Sequence, residues 1–128
     1  LYLRGKGGVK ADVEFSDTGV DFAVIGGKVN YGEDQGEKEY MAWTDFRQKH
    51  IRPLISACIR KQLEDLEAKG EKLTPELRMK LAKQHLILAV IAYWYQSFND
   101  MEYSLKQAML ISENDPEIKQ LIIRHFLR

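Results

Sequence analysis

The sequence predicts an α+β fold, an N-terminal antiparallel β-meander of two or three short strands followed by a three- or four-helix bundle. Three observations carry this expectation. Apolar residues alternate with polar ones between Val9 and Tyr31, and from Trp43 onward they recur three or four apart. The sign of the local charge also reverses near residue 45. Residues 11–45 hold nine acids and two bases, a balance of −7, whereas residues 46–62 hold five bases and no acid. At 128 residues the chain has the length of one domain, with residues 1–37 as meander and acidic loop and 38–128 as helical bundle.

The first strand is read from Val9, Ala11, Val13 and Phe15, which alternate with Lys10, Asp12, Glu14 and Ser16. Asp17 and Gly19 supply turn chemistry: a carboxylate that bonds its own backbone and a residue free to take positive φ. Val20, Phe22 and Val24 continue the alternation, Gly26-Gly27 marks a second turn, and residues 28–31 form a short third strand. A polar loop follows to Glu37.

The first helix is read from Trp43, Phe46, Ile51, Leu54, Ile55, Cys58, Ile59, Leu63 and Leu66, and ends near Gly70. Pro53 removes a backbone donor inside it, so a kink or break is expected near His50. Thr74-Pro75-Glu76 starts the second helix: a hydroxyl cap, a proline at the first helical position and a carboxylate facing the positive helix end. This helix is expected to run to about Asn99 and, from Leu86, to be apolar all round, which places it at a bundle centre or in an oligomer seam. Asp100 is read as the cap of a third helix through Ser112, and Asp115-Pro116-Glu117 as the start of a fourth.

Composition excludes several classes. Hydrophobic content of 45% with 30% charged residues is that of a soluble globular chain, and a net charge of zero removes bulk attraction to nucleic acid or anionic lipid. The longest apolar run, residues 86–95, is half of what a bilayer requires, so no membrane partner is expected. One cysteine excludes an internal disulfide, and with no apolar leader in the first residues the expected location is cytoplasmic.

No catalytic, cofactor-binding or metal-binding residue is assigned, and the expected protein is not an enzyme. Cys58 and His50 are eight residues apart on one helix, about 12 Å, beyond hydrogen-bond reach. His50, His85 and His125 have no second ligand at metal spacing. Asp12 and Glu14 share the solvent side of an alternating strand. Gly5-Lys6-Gly7-Gly8 lacks the phosphate-loop pattern and is read as a flexible lead-in.

Two constellations remain. Tyr93, Trp94, Tyr95 and Phe98 crowd one helical segment; they cannot all face one core, and aromatic rings left outside are anchors of protein interfaces. The favoured expectation is therefore a non-catalytic interaction or assembly module, binding a protein partner or itself as a homo-oligomer. The alternative is nucleic-acid binding. Lys49, Arg52, Ser56 and Arg60 share one helix face, flanked by Arg47 and Lys61, and Arg4, Lys6 and Lys10 extend the cationic track. Against it stands an internal pairing of this stripe with the acidic segment. Residues 88–116 also resemble one tetratricopeptide-type hairpin at Ala92-Tyr93, Ala108 and Asp115-Pro116, but Asn99-Asp100 replaces the turn glycine and no second copy follows. The segment is read as a generic helical hairpin.

Overall fold

The computed structural model describes residues 44–127; they are helical apart from short turns, and no strand occurs among them. The α+β expectation is thus corrected to an all-helical fold for the described residues. The physical reason is that the alternating pattern stops before residue 32, and the described segments carry apolar residues at helical spacing, with side-chain caps at Thr74 and Asp115. The strands expected over 9–15, 20–24 and 28–31, the Gly5–Gly8 lead-in and the polar loop lie outside the described residues.

A π-helical turn, Arg47–Ile51, leads into α1 (Arg52–Lys69); α2 (Pro75–Trp94), α3 (Phe98–Ile111) and α4 (Pro116–Phe126) follow. The π turn answers Pro53. The Arg52 N–H reaches five residues back to the Arg47 carbonyl, so the backbone widens just before the residue that has no N–H and whose ring would strike a carbonyl four back. The kink expected near His50 takes this form. Gly70, at φ 67°, ends α1 in a Schellman arrangement: its N–H donates to Glu67 O at 3.0 Å and that of Glu71 to Leu66 O at 2.9 Å.

α2 begins as its sequence predicts, with Thr74 Oγ1 accepting from the Leu77 N–H at 3.2 Å. It ends five residues earlier than expected. Gln96 takes φ 63°, and the Ser97 N–H closes onto Ala92 O at 2.8 Å, the same terminating motif as at Gly70 but without glycine. The break leaves Ser97 before α3 and puts Asp100 in its first turn, where the carboxylate accepts from Ser97 Oγ at 2.6 Å instead of capping the helix. α4 starts at the expected cap, Asp115, which accepts from the Glu117 N–H at 2.8 Å.

α2 is the core. Leu81, Ala82, Leu86, Ile87, Ala89, Val90, Ile91 and Ala92 are fully buried around its whole circumference. Ile55 and Ile59 of α1, Ala108 of α3, and Ile118 and Leu121 of α4 complete the cluster. α3 packs along α2 as the second arm of a hairpin, so the hairpin expectation holds, with its turn at Tyr95–Ser97. α1 contributes a single row, Ile55, Ile59 and Leu63, continued by Ile51 of the π turn; Leu54 and Cys58, expected in its apolar stripe, face solvent. Polar ties join the arms: Gln62 Nε2 donates to Gln84 Oε1 at 3.1 Å, and Arg78 Nη1 reaches both Ile111 O and Glu113 Oε1 at 3.2 Å.

His85 sits on this helix, and burial pushes its imidazole from 6.5 down to about 4. Below pH 6.5 the unfolded chain takes up a proton that the folded chain refuses, so this group's stability is complete above 6.5 and is lost as pH falls towards 4. The loss is on the order of 3 kcal/mol. Denaturant titrations at pH 7 and 4.5 will show a smaller loss for His85→Leu than for the parent chain. In the same assay at pH 7, Ile91→Ala will cost about 2–5 kcal/mol while Leu110→Ala, on the exposed side of α3, stays within about 0.5 kcal/mol. Gln96→Gly will raise stability by about 1 kcal/mol by relieving the left-handed backbone.

Candidate protein-interaction surface

The aromatic segment is divided by the turn that ends α2. Trp94 is 7% exposed, and the Arg47 guanidinium lies over its ring, 4.6 Å from the centroid. Tyr93 is half-buried and meets two rings edge-on: Phe98 at 6.3 Å and 82°, and Phe126 at 6.3 Å and 74°. Both distances lie in the range where edge-to-face pairs attract. Tyr95 and Phe98 remain outside, 39% and 53% exposed. Of the four aromatics singled out by sequence, the structure therefore brings Tyr93 and Phe98 together, keeps Tyr95 at the surface beside the turn, and places Trp94 in the core.

The basic stripe is also divided. Arg47 is 1% exposed beneath the bundle surface. Lys49 pairs with Asp45 at 2.9 Å; that hydrogen bond and charge, with a smaller contribution from Tyr95, hold its ammonium above the usual lysine range. Arg52 Nη1 lies 3.5 Å from Asp100 Oδ2. Arg60 and Lys61 are exposed on the outer side of α1. A phosphate-tracking face needs cations presented together; here one is inside and two are engaged by carboxylates, while Arg4, Lys6 and Lys10 lie outside the described residues.

Asp100 is the residue that sequence reading assigned the wrong task. Its carboxylate receives Ser97 Oγ at 2.6 Å, Gln48 Nε2 at 3.3 Å and the Arg52 guanidinium, so it ties the start of α3 to the π turn and α1. The Ser97 hydrogen bond first, and Arg52 and Gln48 after it, hold the acid below the usual carboxylate range against the opposing effect of burial. The spacing of Ser97 and Asp100 was a usable signal; the contribution from α1 was not visible. Among the described residues no group of three His, Cys, Asp or Glu side chains could hold a metal ion, and no helix is long and apolar enough to cross a membrane. His50 meets Phe46 with ring centroids 5.2 Å apart and the planes tilted by 35°.

Compared with known protein families, curated proteins and solved structures, the chain matches none.

Proposed function

We propose that this protein is a non-catalytic interaction module whose contact surface is the aromatic end of the α2–α3 hairpin, centred on Phe98 and flanked by Tyr95. One observation carries the reading: Phe98 is half outside, yet its ring is braced edge-on by Tyr93, which Phe126 braces in turn. A large apolar ring held in place before binding loses little conformational freedom when a partner covers it, which is the property of an interface anchor. The occupant in this proposal is a protein surface, of another protein or of a second copy, with an apolar pocket. The enclosure of residues 86–92 limits this contact to the end of the apolar segment. A reducing, cytoplasmic setting is proposed with it, supported by one exposed thiol, Cys58, which an oxidising compartment would leave open to intermolecular disulfides.

The test separates anchor from core. Proteins retained by the immobilised chain from a native lysate are compared across variants, and the affinity of each is then measured with purified material. Phe98→Ala will weaken a specific partner by about thirtyfold, the loss of a hot-spot ring, and will leave stability within about 1 kcal/mol, as befits an exposed position. Trp94→Ala will instead lower stability by about 3–5 kcal/mol. Partners retained equally by the parent chain and Phe98→Ala overturn the assignment.

A further inference from the structure

The outer face of α1 carries a second pattern. Leu54 is 70% exposed there, and Ala57, Lys61, Glu64 and Ala68 are exposed with it. Their spacing of three, four, three and four is that of a helix–helix seam. Arg60 and Glu67 flank this seam on the same side, also exposed. The charges run in blocks, Arg60 and Lys61 first and Glu64, Asp65 and Glu67 after, with Lys69 closing the helix. Arg60 and Glu64 stand four apart, as do Lys61 and Asp65, yet none of these side chains takes part in an ion pair among the described residues.

A helix whose basic block precedes its acidic block is complementary to itself only when reversed. Laid antiparallel on a second α1, Lys61 of each copy falls opposite Glu64 of the other, Arg60 opposite Glu67, and Ala57 opposite Ala68, whose small side chains let the backbones approach; Leu54 then lies beyond the paired stretch, past the Gly70 end of the other helix. Every contact occurs twice about a two-fold axis, as an isologous interface requires. A parallel pairing in register sets like charges against each other.

We propose that the chain associates with a second copy of itself through this face of α1, antiparallel and in that register. The charges do most of the selecting, since a Lys–Glu pair at a seam position specifies alignment while adding little net affinity. The dimer is accordingly weak and falls apart with salt, because exposed ion pairs are screened. The proposal deepens the assembly side of the interaction-module reading but uses a face remote in sequence from Phe98, so the two fail separately.

Sedimentation equilibrium on the full chain, at low and high salt, tests it. A monomer–dimer equilibrium is expected at low salt. Lys61→Glu alone and Glu64→Lys alone will each weaken it at least tenfold, and Lys61→Glu combined with Glu64→Lys will restore it. Register is read by oxidation in a Cys58→Ser background: Ala57→Cys with Ala68→Cys will cross-link into a dimer, whereas either cysteine alone will not. A strict monomer at high concentration overturns the proposal, whether the face is bare or taken by another partner. A dimer indifferent to the single charge reversals, or one that the charge exchange fails to restore, does so too. Loss of partner binding by Phe98→Ala in a chain that is monomeric removes only this proposal; a charge-sensitive dimer in a chain whose partners ignore Phe98→Ala removes only the preceding one.

Discussion

A helix with no polar side must be enclosed, and the rest of the described structure is arranged around meeting that demand for α2. Its residues from Leu86 to Ala92 would expose apolar surface in every direction if left alone, at roughly 25 cal/mol per Å². One neighbouring helix covers only a stripe. Three are recruited, and each gives its buried row: Ile55 and Ile59 from α1, Ala108 with the small, polar Ser104 from α3, Ile118 and Leu121 from α4. The small residues on α3 permit the closest approach, which is why the α2–α3 hairpin forms the most extensive contact.

Enclosure of α2 also sets what remains at the surface. The helix must stop where its cover stops, and it stops at Trp94, whose outer face is roofed by the Arg47 guanidinium. Arg47 comes from the π turn, and the π turn exists because Pro53 forbids an ordinary helical bond just downstream. One proline thus widens the backbone at the point where an arginine is turned inward. Asp100 then anchors the same region from the other side, holding Gln48 and Arg52 against the start of α3. Tyr95 and Phe98 are left beyond this roof, and the aromatic end of the hairpin is the residue of that geometry.

Much of this was legible in the residues. Thr74 and Asp115 followed by proline marked two helix starts correctly, because a cap and a proline act on their own next turn and need no distant partner. Gly70 marked an end for the same reason. The end at Gln96 was not legible: a non-glycine residue in the left-handed region is uncommon, and no glycine or proline between Tyr93 and Asp100 announces the stop. Missing that end moved Phe98 onto the wrong helix and gave Asp100 the role of a cap. Spacing along the basic stripe does not tell which cation meets a carboxylate or a tryptophan from another helix.

Propensity, capping and apolar periodicity are written within a few residues of where they act, and they specify the helices of the described region, two of their four starts, and the identity of the central one. Tertiary structure alone decided which apolar residues were left outside, and that Arg47 went in while Phe98 stayed out. Those outcomes depend on how far each neighbour extends along α2, and burial is a property of the surfaces that meet, not of the residue that is buried.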